Sequence, residues 1–150
     1  MKVYCAHAIS GLSGEEVISY YENITEELSK LGCDVYYPMI AKGYFRPEKE
    51  FKAHGYEGKP VSSNHAIYER DTWMVSMCDI LFLDLTNTKN VSIGSIMELA
   101  LASHCKKHTI VVMEENNIHQ HCFVIEAADI IFNNIANAKE YLQKLIKRST

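Results

Sequence analysis

Two carboxylates occupy helix positions at which the pattern of the sequence predicts apolar side chains. Asp71 lies four residues after Ile67, on the apolar stripe of its predicted helix. Glu98 is the only charged residue in GSIMELALAS, residues 94–103. An isolated buried carboxylate is costly, so each must be solvated, paired or used in chemistry. A structural ion pair with Arg70 is one explanation, but two carboxylates beside the carboxyl ends of neighbouring strands, where doubly wound folds bind ligands, favour a functional site.

Two short loops combine serine and glycine with the start of a predicted helix. They are SGLSG at residues 10–14 and NVSIGS at residues 90–95. Free backbone N–H groups at helix starts bind phosphate and other anions. Serine and glycine before a helix more often act only as caps. Because both loops are expected at the same edge of one sheet, together they favour an anion site there.

Short apolar runs alternate with amphipathic stretches along the chain, which is typical of βαβ units. The predicted fold class is α/β, a doubly wound, five-stranded, mainly parallel sheet with helices on both faces (flavodoxin-like or Rossmann-like). The predicted strands cover residues 2–6, 34–37, 80–85, 109–113 and 129–132, and the predicted helices cover residues 15–31, 64–78, 94–104 and 135–146. Gly32 is expected to adopt the left-handed conformation that ends the first helix.

Residues 41–62 interrupt this alternation. They contain three of the seven glycines, two of the three prolines and several aromatic residues. A long insertion of this composition indicates a lid or binding loop within a single domain that spans residues 1–150. A solvated connection is the alternative.

Composition limits the classes of function. The chain has 150 residues, of which 47% are hydrophobic, enough for one domain with a full core. Its net charge of −4 argues against binding to a nucleic-acid polymer or an anionic membrane, but not against a small phosphorylated ligand. Five cysteines without a CxxC pair, and an N-terminus unlike a signal peptide, lead us to expect a reduced, cytoplasmic protein. We expect no cofactor and no metal, since His119 and His121 lack further ligands nearby.

Three blocks in this order and spacing resemble the nucleoside 2-deoxyribosyltransferase family: VYCAHAISG (3–11), RDTWMVSMCDILFLDLT (70–86) and SIGSIMELALA (92–102). The resemblance extends over nearly the whole chain and is weakest across residues 43–65. It implies catalysis at an N-glycosidic bond, with Glu98 as the nucleophile that attacks C1′ of the sugar. It also implies that Asp71 is the acid that engages the leaving base and that Tyr4 orients the nucleophile. Two such carboxyl groups are what a retaining glycosyl transfer requires.

The family includes transferases that exchange bases and N-hydrolases that act on 2′-deoxynucleoside 5′-monophosphates. The transferases place an acidic residue near the 5′-hydroxyl, whereas the hydrolases place a serine there, in the arrangement S-x-G-x-x-x-E. The stretch from Ser92 to Glu98 has the serine form. The resemblance therefore favours cleavage of a nucleoside monophosphate into free base and sugar phosphate. Base exchange between deoxynucleosides is the alternative. A nucleotide sensor without turnover is a second alternative, although mere binding would not require Tyr4, Asp71 and Glu98 together.

The substrate's phosphate needs positive charge or hydrogen-bond donors. His7 stands where the family usually has glycine, and it could supply charge if protonated or act as a neutral hydrogen-bonding wall. The insertion could supply a cation from Lys42, Arg46, Lys49, Lys52 or Lys59. In this family a neighbouring subunit often completes the pocket, so we expect a homodimer or a larger homo-oligomer. The expected substrate- and phosphate-binding residues are His7, Ser10, Gly11, Ser92, Gly94, Ser95 and, from the neighbouring subunit, His121.

Overall fold

The computed structural model describes residues 1–52, 54–56 and 58–147. In these residues five strands form one parallel sheet in the order β2-β1-β3-β4-β5. The strands are β1 (Lys2–His7), β2 (Asp34–Tyr36), β3 (Ile80–Asp84), β4 (His108–Val112) and β5 (Ile130–Phe132). Every predicted strand is present within one or two residues of its predicted bounds. The predicted α/β fold with a five-stranded parallel sheet is therefore confirmed.

Helices cover both faces of the sheet. They are α1 (Gly14–Lys30), α2 (Asn64–Met77), α3 (Ile93–His104), α4 (Cys122–Ala127) and α5 (Ile135–Lys147). A capping box begins α1, because the Ser13 hydroxyl accepts the Glu16 N–H and the Glu16 carboxylate accepts the Ser13 N–H. Gly32 follows α1 with φ of +87°, as predicted. The six-residue α4 was not predicted, because it is too short to show a helical period. Among the residues described, none of the helices is long and apolar enough to cross a bilayer.

The alternation of side chains along β1 divides the core into two parts. Val3 and Cys5 pack on the side of α1 and α5, whereas Tyr4 and Ala6 pack on the side of α2 and α3. All four side chains are fully buried. Tyr4 therefore faces the two helices that carry Asp71 and Glu98, and this places the predicted catalytic residues on one face of the sheet.

The inserted segment packs against the loop between β1 and α1. Phe51 exchanges two backbone hydrogen bonds with this loop, donating to Leu12 O (2.7 Å) and accepting from Gly11 N (3.2 Å). Phe45 is 6% exposed and joins the core on the α1 side. The described part of the segment is thus anchored to the body of the domain by two buried aromatic side chains.

We expect Gly14→Ala to destabilise the protein. A Cβ atom at this position would lie 2.0 Å from the carbonyl oxygen of Phe45 and 2.8 Å from that of Arg46, both of them backbone atoms. Alanine gains roughly 1 kcal/mol of helix propensity, but overpacking of this kind costs about 1–3 kcal/mol or more. Chemical denaturation should therefore show a lower free energy of unfolding. Gly43→Ala is the control, since its Cβ would meet nothing within 4 Å. A Gly14→Ala variant as stable as wild type would contradict this packing.

Candidate active site

The strand order places a ligand crevice between β1 and β3. Their following helices lie on opposite faces of the sheet, and doubly wound folds bind ligands where the strand order reverses in this way. The loops after these strands line a cleft of about 470 Å³ at that point. Its lining includes the predicted phosphate-binding residues His7, Ser10 and Gly11. It also includes Lys89 and Asn90, whose side chains were not singled out from the sequence.

His7 is held firmly at this cleft. Its Nδ1 lies 3.0 Å from the carbonyl oxygen of Asp84, so Nδ1 carries a proton and donates to that oxygen. Its ring stacks on Tyr20, with 4.0 Å between the centroids. The buried Asp84 carboxylate accepts hydrogen bonds from the Tyr20 hydroxyl (2.9 Å) and from Thr86 N–H (2.9 Å) and Oγ1 (2.7 Å). This network leaves Nε2 of His7 as the ring atom that can meet a ligand.

Glu98 lies in α3 and is hydrogen-bonded to Tyr4 of β1. The Tyr4 hydroxyl donates to Glu98 Oε1 over 2.6 Å. Burial and, to a smaller extent, the negative charge of Asp71 raise the pKa of Glu98, whereas the Tyr4 hydrogen bond, Lys42 and Arg70 lower it, and the net pKa is about 8. A carboxylate in this setting is desolvated and oriented at the same time, and both properties favour nucleophilic attack.

Asp71 forms an ion pair with Arg70, which is one of the two explanations that the sequence left open for this carboxylate. It also lies near Glu98. Arg70 Nε and Nη2 donate to Asp71 Oδ1 over 2.9 and 2.6 Å. Nη2 also donates to Pro38 O (2.9 Å), which ties α2 to the segment that follows β2. Burial raises the pKa of Asp71, and Lys42 and Arg70 oppose this shift. The structural and the chemical explanations of this carboxylate are therefore compatible.

Of the five candidate cations in the insertion, Lys42 lies buried beside the carboxylates. Its side chain is 4% exposed. Burial lowers its pKa to about 8, Asp71 and Glu98 oppose that shift, and Arg70 adds to it. The other four lie at the surface: Arg46 pairs with Glu15 and Glu22, Lys59 stacks on Tyr44, and Lys49 and Lys52 are exposed. The sequence could not distinguish them, because the burial of Lys42 depends on how the whole insertion docks.

A buried histidine fixes the start of α3. Ser92 N–H donates to His119 Nε2 over 2.8 Å, and His119 Nδ1 lies 2.9 Å from Asn117 Oδ1. Nε2 is therefore an acceptor and the ring is neutral, in agreement with burial, which lowers the pKa of His119. The Ser92 hydroxyl donates to Ser95 Oγ over 2.9 Å. The imidazole thus acts as a helix cap, and no group of three His, Cys, Asp or Glu residues within the described ranges could hold a metal ion.

The remaining predicted binding residues lie at two helix starts. Gly94, in the first turn of α3, is exposed, and a Cβ there would meet nothing within 4 Å. The hydroxyl-bearing side chains of Ser92 and Ser95 are nearly covered. His121 is exposed and caps α4 by accepting the Phe123 N–H over 3.2 Å. Its Nδ1 is engaged in this cap, and its ring contacts that of Phe123 at the surface of this chain.

Comparison with known proteins agrees with this architecture. The family model described as nucleoside 2-deoxyribosyltransferase matches residues 3–136. A 2-deoxyribosyltransferase structure from Bacillus psychrosaccharolyticus shares 16% sequence identity, covering 94% of this chain and 92% of that one, with a TM-score of 0.66. The CMP N-glycosidase of Clostridium botulinum shares 20% identity over 99% of each chain, with a TM-score of 0.58. A 2-desoxiribosyltransferase from Leishmania mexicana shares 15% identity, covering 95% and 97%, with a TM-score of 0.61.

No curated protein matches the chain significantly in sequence. At identities this low, the solved structures show a common fold. The family match rests on the sequence itself and covers nearly its full length. The chain therefore belongs to the nucleoside 2-deoxyribosyltransferase family.

Proposed function

We propose that this protein cleaves the N-glycosidic bond of a nucleoside or deoxynucleoside 5′-monophosphate and releases free base and sugar phosphate. The observation that carries the proposal is the half-buried Glu98 carboxylate with the Tyr4 hydroxyl at 2.6 Å and Asp71 nearby on the adjacent helix. Glycoside cleavage with retention needs one carboxylate nucleophile and a second group that serves the leaving group. The family supports the reaction type, since its members act on N-glycosidic bonds.

The reaction proceeds in two steps in this proposal. Glu98 attacks C1′ and forms a glycosyl ester while the C1′–N bond breaks, and Asp71 engages the departing base. Water then attacks C1′ and releases Glu98. Tyr4 orients the nucleophile and, by donating a hydrogen bond to its charged form, favours that form.

The preference for a monophosphate rests on the start of α3 and on the cleft that follows β1 and β3. An acidic residue at position 92 would repel a phosphate, whereas Ser92 carries no charge. Gly94 lies in the exposed first turn of α3, so the N-terminus of this helix is open to an anion. The cleft after β1 and β3 is lined by His7 and by Lys89, whose ammonium supplies donors and positive charge. A hydroxyl and N–H donors suit a phosphate better than a carboxylate does.

Base exchange is the second candidate, because two of the similar structures are deoxyribosyltransferases. One chromatographic panel separates the candidates. Wild-type protein is incubated with deoxynucleosides and their 5′-monophosphates, with and without a second free base. Hydrolysis predicts base release that the second base does not alter, whereas exchange predicts a new nucleoside. Saturable binding without release over hours would instead indicate a sensor.

We further propose that two copies of the chain associate through the layer formed by α2, α3 and α4. These helices contact one another and expose large apolar side chains. The exposed set comprises Trp73, Met77, Ile93, Met97 and Phe123, with exposed fractions from 46% to 78%. Large apolar side chains exposed on helices that contact one another favour an interaction surface there. His121, next to Phe123, would then reach the partner's phosphate site.

Phe123→Glu is expected to give a monomer by analytical ultracentrifugation and to weaken binding of the phosphorylated substrate. Because the side chain is 78% exposed, thermal unfolding should show that the fold of each chain is retained. A wild-type protein that is monomeric at micromolar concentration would contradict this interface.

A further inference from the structure

The loop between β3 and α3 forms one wall of the cleft, since residues 86–90 lie in its lining. Two buried side chains of the segment after β4, Asn117 and His119, bond to the two ends of this loop. We propose that His119 is a positioning residue for the substrate's phosphate: as a neutral hydrogen-bond acceptor, it holds the end of the loop and the start of α3 in the arrangement that binds the anion. This inference rests on the proposed function and adds to it a residue that need not contact the substrate.

Asn117 and Glu114 hold the beginning of the loop. Asn117 Nδ2 donates to the carbonyl oxygen of Leu85, the residue that follows β3, over 2.7 Å. It also donates to Glu114 Oε2 over 2.7 Å, and Glu114 Oε1 accepts the Asn87 N–H over 2.7 Å. The first positions of the loop are therefore bonded to the segment after β4 rather than free to move with solvent.

His119 holds the end of the loop, and its partners fix which ring nitrogen carries the proton. Asn117 Oδ1 accepts the backbone N–H of His119 over 2.9 Å, so this atom is the amide oxygen. His119 Nδ1 lies 2.9 Å from the same oxygen and must therefore donate to it. This leaves the lone pair of Nε2 to accept the Ser92 N–H over 2.8 Å. Because the histidine is 3% exposed, loss of its ring would leave a buried N–H without an acceptor.

The start of α3 depends on this bond because its own serine does not cap it. Ser13 and Ser63 accept a backbone N–H at the starts of α1 and α2. Ser92 makes no such bond, and its hydroxyl donates to Ser95 Oγ instead. The serine side chain thus leaves the N–H groups of the first turn to an anion, while His119 fixes the backbone of Ser92 from outside the helix. Holding donors in place before the ligand arrives lowers the entropic cost of binding.

Only the neutral ring can do this. A proton on Nε2 would set one donor against another, the Ser92 N–H. Burial lowers the pKa of His119 and so keeps the ring neutral near pH 7. The ionisable groups on its own segment, on the loop after β3 and on α3 are Glu114, Glu115, His121, Lys89, Glu98 and His104. Affinity for a phosphate should therefore be full above the ordinary histidine pKa of about 6.5 and fall in more acidic solution.

His119→Leu and His119→Gln separate the hydrogen bond from the bulk of the ring. Leucine accepts no hydrogen bond, whereas the glutamine amide oxygen can accept the Ser92 N–H and does not titrate. In calorimetric titrations with 2-deoxyribose 5-phosphate at about pH 7.5, we expect binding to be about 10-fold weaker for His119→Leu and within about 3-fold of wild type for His119→Gln. With the monophosphate that wild-type protein cleaves, His119→Leu should raise KM more than it lowers kcat, because the Tyr4–Glu98 hydrogen bond does not involve this ring. His104→Gln, at an exposed histidine of α3, is the control and should match wild type.

The pH dependence of the same titration decides the matter even where His119→Leu does not fold. Between about pH 7.5 and about pH 5, wild-type protein should lose about 10-fold more affinity for the sugar phosphate than His119→Gln does. The ligand's own titration is the same for both proteins and cancels in this comparison. Equal pH dependence, wild-type affinity in His119→Leu, a folded His119→Gln as weak as His119→Leu, or no binding by wild-type protein would each overturn the assignment. Failure of the proposed function would appear differently, as no base release by wild-type protein, and the binding comparison would still decide the role of His119.

Discussion

Glu98→Gln is expected to abolish base release, with a loss of at least about 10⁴-fold in kcat. The amide has nearly the size of the carboxylate but cannot form the ester with C1′. Its oxygen can still accept the hydrogen bond that Tyr4 donates to Oε1. Substrate binding should therefore survive while turnover does not, which chromatography of the free base and a binding titration measure together.

The same substitution should not unfold the protein. With a pKa of about 8, Glu98 is mostly protonated at neutral pH, so the amide replaces a group that carries little charge there. Urea unfolding should show stability equal to wild type within about 1–2 kcal/mol. Glu69→Gln, an exposed glutamate of α2, is the matched control and should keep full activity. Undiminished turnover by Glu98→Gln would exclude Glu98 as the nucleophile.

Tyr4→Phe is expected to shift the acidic limb of the pH profile upward. Glu98 must be ionised to attack, so kcat/KM should rise with pH through its pKa, which is about 8. The Tyr4 hydroxyl stabilises the ionised form, and its removal raises that pKa further. A hydrogen bond to a charged group contributes about 1.5–3 kcal/mol, which corresponds to a roughly 10- to 100-fold loss of rate at pH 7.

Part of the activity lost in Tyr4→Phe should return when the pH is raised, because more of the carboxylate then becomes ionised. Tyr68→Phe is the matched control. The Tyr68 hydroxyl belongs to an exposed residue of α2, so its removal should not change the pH profile. A profile of Tyr4→Phe that coincides with wild type would show that the hydrogen bond does not tune Glu98.

The long elements were predictable from the sequence because each carries a clear local pattern. The continuous apolar run of β3 and the amphipathic stripes of α1 and α5 are local signals, and the structure places them within one or two residues. In contrast, α4 has six residues and no complete amphipathic period. Its presence depends on packing against α3, which local patterns do not reveal.

The residues of the candidate site also differ in how far the sequence alone reveals them. Asp71 and Glu98 were detectable because each places a charge within an apolar stripe. Such a charge must be solvated, paired or used in a site. Tyr4 was found only through resemblance to a family, since a tyrosine in a buried strand is ordinary by itself. The burial of Lys42 and the place of Lys89 at the cleft depend on how loops distant in sequence dock, so neither could be read from the sequence.

The most direct test of the account is to trap the glycosyl-enzyme. A nucleoside 5′-monophosphate with fluorine at C2′ slows both steps by destabilising positive charge at C1′. Mass spectrometry of the digested protein should then find the sugar phosphate attached to the peptide that contains Glu98, and no adduct in Glu98→Gln. Release of base by wild-type protein without an adduct at Glu98, or with an adduct on another residue, would contradict the proposed mechanism.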